Sequence, residues 1–383
     1  MSRNAPIDLA PATFLREHWQ KKPRLIRQAF PGFAGIVSRD GLFRLASRPD
    51  ATSRLVIEHP RRRRARWERH DGPFGAIDAS MLPPSHWTLL VHGVESLLPG
   101  GWEILRRFSF LPAARIDDLM VSYAADGGSV GAHDDLYDVF LLQGPGRRRW
   151  QISRQRDRSP DPAAAIKVLR SFIPEEEWLL EPGDMLYLPP GVAHLGVAEG
   201  PCFTYSIGFL APTHADLIQN FLEYLGATLA QRTPAAARYR DPDLRLPEKN
   251  DPFEISASMH ADVAAVLGGI RVPKAAFGDF LGRFLTRPKP HVRFKSPARP
   301  ANPEAFARRL RQRGRLSLAL PSRGLSFRGR FFLNGHAHTP GGAAARLFRQ
   351  LFRDRVLTLP LALAAPTEET LYEWYLAGYV AVS

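Results

Sequence analysis

Between Arg115 and about Leu210 the chain breaks into short apolar or alternating runs, DLMVSYA, LYDVFLLQ, RRWQIS, DMLYLPP and CFTYSIGFLA, separated by glycine and proline. Runs this short are strand-length, and turn signals at such close intervals fold successive strands back on one another. The pattern therefore predicts an antiparallel barrel or sandwich. On either side the periodicity is helical. PATFLREHWQKKPRLIRQAF reads as an entry helix stopped at Lys-Lys-Pro and followed by an extended segment. HADLIQNFLEYLGATLAQR, ADVAAVLGG and AAFGDFLGRFL read as amphipathic helices, linked by the proline-rich RYRDPDLRLPEKNDPF. A second proline-rich stretch, TRPKPHVRFKSPARPANP from Thr286 to Pro303, reads as a boundary. Beyond it helical and strand-like runs mix, as in a small winged-helix-like module. The fold class expected is α+β in two or three domains, because 383 residues exceed one ordinary core.

Composition narrows the function classes. A formal net charge of +14 attracts polyanions, ribosomal RNA among them, but the positive charge is dispersed along the whole chain. The run RRRRARWERH, Arg61 to His70, is expected on an exposed loop or hairpin as a solvated charge run, and ARRLRQRGR, Ala307 to Arg315, lies in the tail. Direct DNA binding is not expected. The single cysteine, Cys202, excludes an internal disulfide and suits a reducing cytoplasm. LTLPLALAAP is proline-broken and too short to span a bilayer, and the N-terminal MSRNAPIDLAPATFL lacks a continuous apolar core for a secretory signal. The localisation expected is cytoplasmic, without a membrane.

The chemistry gathers in SVGAHDDLYDVFLLQGPGRRRW, Ser129 to Trp150. Side chains two apart on a strand project to one face, so His133 and Asp135 can share a metal while Asp134 faces away. His194, in MLYLPPGVAHLGV, is the best third ligand. Two histidines and one carboxylate form the facial triad of non-haem iron(II) oxygenases, with open positions for a co-substrate and dioxygen. Such oxygenases commonly use 2-oxoglutarate, whose distal carboxylate suits a guanidinium fork. Arg148 shares the parity of the large apolar Trp150 and Ile152, so it points inward, whereas Arg147 and Arg149 point to solvent.

FLREHWQKKP, RIDDLMVSYA, GGSVGAHDDLYDVFLLQGPGRRRW, LEPGDMLYLPPGVAHLGV and TYSIGFLAP resemble, in this order and over most of residues 13–213, the bacterial ribosomal oxygenases of the Jumonji-C type. These are relatives of the enzyme that hydroxylates an arginine of large-subunit ribosomal protein number sixteen. The resemblance implies a double-stranded β-helix (cupin, or jelly roll) with N-terminal helical elements over residues 1–212, a helical dimerisation region over 213–288 and a winged-helix-like domain over 289–383. It carries iron ligation onto His133, Asp135 and His194 and binding of 2-oxoglutarate onto Arg148. Ala132 departs from the proline that the family often has before the first histidine. The cofactors implied are Fe(II), 2-oxoglutarate and dioxygen, and the substrate is a side chain of a ribosomal protein, first an arginine. A histidine hydroxylase acting on another ribosomal protein is the alternative within enzymes, and a catalytically silent cupin that binds the ribosome is the alternative outside them. For an arginine substrate the pocket needs carboxylates with aromatic or hydroxyl groups. Asp118, Tyr123 and Tyr137 are the candidates, with Asp117, Asp134 and Asp138 nearby, and Tyr137 has the parity of Asp135. Acidic groups concentrated at the cleft would reconcile a basic enzyme with a basic substrate.

Overall fold

A computed structural model describes residues 5–60, 65–75, 82–231, 238 and 255–383. The first half is strand-rich: β1 (Arg24–Ile26), β2 (Thr52–His59), β3 (Arg66–Asp71), β4 (Trp87–His92), β5 (Ile116–Ala124), β6 (His133–Asp134), β7 (Asp138–Gln143), β8 (Arg147–Ser153), β9 (Glu176–Leu180), β10 (Met185–Leu188), β11 (Ala193–Glu199) and β12 (Cys202–Phe209). They form two antiparallel sheets, a large one in the order β1-β10-β7-β12-β5-β4-β2-β3 and a small one in the order β6-β11-β8-β9. This is the antiparallel sandwich expected from the short runs, in the jelly-roll form that the resemblance implies.

Alternation sorts the strand residues between two cores. The apolar run of β7 is wholly buried, with Val139 and Leu141 joining Trp150, Ile152, Leu180 and Leu186 between the sheets. Phe140 and Leu142 face the other way, into a second core under the helices α1 (Pro11–Glu17), α2 (Arg39–Ala46) and α3 (Pro99–Arg106). That core also takes Phe14, Leu42, Ile104 and Phe108. A strand covered on both faces needs no polar alternation, which is why LYDVFLLQ reads as a continuous apolar run. β12 separates its faces by chemistry instead. Phe203, Tyr205, Ile207 and Phe209 enter the helical core, and Thr204 and Ser206 line a cavity between the sheets.

After the jelly roll come α4 (His214–Ala230), α5 (Ala257–Gly268) and α6 (Lys274–Thr286). A capping box closes the start of α4, Thr213 accepting from the Asp216 backbone while the Asp216 carboxylate accepts from that of Thr213. α4 and α6 pack through stacked Phe221 and Phe277, 5.1 Å apart, whereas α5 buries no side chain. The tail has α7 (Pro303–Leu310), β13 (Gly314–Leu318), β14 (Gly324–Phe327), β15 (Arg330–Leu333), β16 (His336–His338), α8 (Gly342–Asp354), β17 (Val356–Leu359), α9 (Ala365–Leu376) and β18 (Val380–Val382). Its strands form two three-stranded sheets, β17-β13-β18 and β14-β15-β16, and Phe306, Leu316, Phe348, Leu351 and Trp374 make a core of their own. The boundary expected at residue 288 is crossed by packing. At Gly282 of α6 a Cβ would come within 2.3 Å of the Phe332 ring, so the helix lies against the tail sheet as closely as backbone allows.

Of the basic run Arg61 to His70, the residues from Arg66 lie in β3 at a sheet edge, and Arg61 to Arg64 lie outside the described residues. Apart from Arg238, the linker RYRDPDLRLPEKNDPF also lies outside them. No helix among the described residues is long and apolar enough to cross a membrane.

Candidate active site

β6 and β11 pair so that His133 stands directly opposite His194, with ring centroids 4.3 Å apart. Asp135 follows the last residue of β6, and its Oδ2 lies 3.9 Å from His194 Nε2. One ligand atom from each of His133, Asp135 and His194 falls within 4.8 Å of the others. Backbone carbonyls aim both rings: His133 Nδ1 is 2.9 Å from Gly131 O and His194 Nδ1 is 3.0 Å from Val192 O. Assigning the proton to Nδ1 in each ring leaves Nε2 as the free ligand atom. Burial, and then the neighbouring His133, push the His194 imidazole well below its ordinary range and keep it in the neutral form that metals require.

Asp134 faces away, as its parity requires, and pairs with Lys167 at 3.1 Å and Arg158 at 3.4 Å. Both cations come from the connection between β8 and β9, which is also tied to the ligand segment by Leu169 N donating to Ala132 O at 2.7 Å. The bond at the departure from the family's proline is made through the carbonyl, which any residue has.

Arg148 points inward and is only 4% exposed. It stacks on Trp150, donates at 3.4 Å to Gly128 O, and leaves Nε without a hydrogen-bond partner among the described residues. Thr204 Oγ1 is buried in the same cavity, also without a partner among the described residues, and His133, Asp135 and His194 line it too. A buried guanidinium with unsatisfied donors is costly unless an anion completes it. This donor set fits a small dicarboxylate held between Arg148 and a metal on the triad. Arg149 instead pairs on the outside with Glu177 and Glu199, and Arg147 is exposed.

Outside the triad the cavity opens into a cleft that shares Met120, Tyr137, Val139 and Ser206 with it and adds His92, Asp117, Asp118, Lys289 and His291. Tyr137 thus stands at the throat, where burial and the charges of Asp135, Asp118 and Asp117 raise its phenol. At Asp118 burial favours the neutral acid, but the His92 hydrogen bond and the Lys289 charge outweigh it and hold the carboxyl below its ordinary value. One expectation needs correction. Tyr123 lies on the opposite face of β5 from Asp118 and Met120, packed on Trp87 at 5.6 Å and Phe203 at 5.0 Å, because past the register shift at Asp117 the odd-numbered positions Leu119, Val121 and Tyr123 face the helical core. Asp138 is fully buried away from the cleft, held by Tyr187, Gln20 and Arg115. Sequence reasoning missed Thr204 and Ser206, although the alternation in CFTYSIGF, with a polar group at every second position, was a visible signal. It also missed Lys289 and His291, which only the fold brings here.

A family model described as the JmjC domain matches residues 103–217. The chain is 33% identical over 303 residues to the ribosomal protein uL16 3-hydroxylase of Escherichia coli (strain K12), covering 78% of this chain and 77% of that protein. The chain belongs to the JmjC ribosomal oxygenases. A probable ribosomal oxygenase of Haemophilus influenzae is 36% identical to this family member over 258 residues, 66% of this chain and 59% of that one. Among solved structures, the Escherichia coli ribosomal oxygenase YcfD in complex with cobalt and 2-oxoglutarate matches this JmjC oxygenase with a TM-score of 0.79 and 28% identity, over 98% of this chain and 99% of that chain.

Proposed function

We propose that the protein is an iron(II)- and 2-oxoglutarate-dependent hydroxylase of a ribosomal protein, with an arginine of uL16 as the acceptor. His133, Asp135 and His194 hold the metal, and Arg148, aided by Thr204, holds the distal carboxylate of 2-oxoglutarate. With dioxygen these cofactors supply hydroxylation of an unactivated C–H bond, coupled to oxidative decarboxylation to succinate and carbon dioxide. The protein positions that bond and keeps water out. Val139, Leu141 and Trp150 wall the cavity, and Tyr137 narrows its throat. Asp117 and Asp118 give the cleft the carboxylates that a guanidinium substrate needs. The observation that carries this reading is the buried, unsatisfied Arg148 in one cavity with the triad.

The remaining assignments follow the sequence: an oxygenase unit over residues 1–212, a dimerisation region over 213–288 and a winged-helix-like unit over 289–383. Exposed Ile218, Leu222, Val266 and Leu267 on α4 and α5 support a homodimer, since isolated domains rarely leave so many large apolar side chains uncovered. A cytoplasmic location, where the ribosomal substrate is, and no direct DNA binding complete the reading.

The test is to incubate Fe(II)-loaded protein with 2-oxoglutarate, oxygen and large-subunit ribosomal proteins and to weigh the products. A gain of about 16 Da on uL16, absent with Asp135→Ala, is expected. No gain on any ribosomal protein would sink the reading.

A further inference from the structure

Lys289 is placed where a substrate cation should go. Its Nζ lies 3.0 Å from Asp117 Oδ1 and 3.9 Å from Asp118 Oδ2, at the rim of the cleft that leads to the triad. It is not an ordinary surface lysine. It sits in Pro288-Lys289-Pro290, where two rings restrict the backbone, and Val292 N donates to its carbonyl at 3.0 Å to close a turn. Other segments hold the Asp117 backbone and the Asp118 carboxylate. Arg323 donates to the carbonyls of Ile116 and Asp117, and His92 and Gly93 N each approach Asp118 Oδ2 at 3.3 Å. The ammonium therefore meets a held pair of carboxylates.

We propose that Lys289 is a built-in competitor and specificity determinant: in the substrate-free enzyme its ammonium occupies the Asp117–Asp118 carboxylates, and only a guanidinium displaces it with gain. This rests on the proposed function in taking the substrate side chain to be cationic. The chemistry sets the selectivity. A lysine substrate exchanges one ammonium for another, whereas an arginine replaces a point charge with a planar fork able to bond both oxygens of a carboxylate. Displacement breaks an ion pair that is only partly exposed, so its effect is a modest, salt-dependent factor.

The test is to titrate an arginine-containing peptide, and its lysine counterpart, into full-length protein loaded with manganese and 2-oxoglutarate. The variants are wild type, Lys289→Met and Lys289→Arg, with hydroxylation of uL16 followed in parallel. Removing the ammonium should tighten the arginine peptide by about two- to fivefold, lower KM and leave kcat unchanged. Lys289→Arg, a stronger internal rival, should weaken binding below wild type, and the ranking Met, Lys, Arg should compress at high salt. If Lys289→Met folds poorly, the comparison of Arg with wild type still decides. Affinity that does not follow this ranking, or loss of binding in Lys289→Met, overturns the proposal even when uL16 is hydroxylated. Absence of hydroxylation on any ribosomal protein, with the ranking intact, overturns the functional reading instead.

Discussion

His133 and His194 meet because antiparallel register puts them in opposed positions of the β6–β11 ladder, and the carbonyls of Gly131 and Val192 then fix both rings. Asp135 supplies the only carboxylate of the set. Asp135→Ala should therefore lower metal affinity by roughly two orders of magnitude or more, measured as iron retained after dialysis. In the proposed function Arg148 acts through its fork. Arg148→Lys keeps the charge but loses bidentate bonding, and KM for 2-oxoglutarate should rise about ten- to hundredfold with iron binding unchanged. The two tyrosines separate by face. Tyr137→Phe removes a hydroxyl at the throat and should raise KM for the protein substrate, while Tyr123→Phe, confined to the helical core, should leave it within about twofold. Steady-state kinetics on both variants checks this, and equal effects would mean that β5 is twisted out of the assigned faces.

At the scale of elements, the segment around β1 is sewn to the turn before β10 by one carboxylate. Asp184, 2% exposed, accepts from Gln28 N at 3.0 Å, Glu181 N at 3.1 Å and Arg27 Nη1 at 2.6 Å. Burial alone would raise its pKa, but these bonds together hold it below the ordinary value. A depressed carboxyl contributes stability that is present above its unfolded pKa and lost as pH falls through the folded one. Asp184→Ala should cost about 2 kcal/mol at pH 7, and the gap from wild type should close as pH falls below about 4. Thermal melts across about pH 3 to 7 would show it. A gap independent of pH would assign the loss to packing.

At the scale of the molecule, the tail docks on the jelly roll beside the strand that carries Asp118. Trp102 donates to Leu320 O at 2.9 Å, the Arg355 guanidinium stacks 3.9 Å above Trp102, and Arg323 meets Glu95 at 3.4 Å. Glu95 is 2% exposed, and burial, only partly offset by Arg323, raises its pKa. Sign matters here. A raised carboxyl contributes most below its unfolded pKa and loses that contribution as pH rises through the folded value. Glu95→Gln should be close to neutral, whereas Arg323→Ala leaves a buried carboxylate uncompensated and should cost about 3 kcal/mol. That cost should shrink toward about pH 4, where Glu95 is protonated. Denaturant melts of both variants decide it, and equal losses would show that only the packing at this interface counts.

Whatever depends on local period and spacing was legible in the amino-acid order. Strand lengths and turn residues implied an antiparallel barrel or sandwich, and the resemblance narrowed it to the jelly roll. The two-residue step from His133 to Asp135 and the parity of Arg148 with Trp150 put the right groups on the inner face, because side chains on a strand alternate regardless of context. Tyr123 shows where that reasoning stopped. Its own parity matched Leu119 and Val121, which enter the helical core, but no local signal says which face of β5 is the cavity. Only the tertiary structure decided that, since the choice depends on which sheet and which helices cover the strand. It alone also brought Lys289 to Asp117, across more than 170 positions of chain, and closed the tail on Glu95 through Arg323. Contacts between distant segments leave no trace in period or composition, because they arise from packing that every part of the chain helps to set.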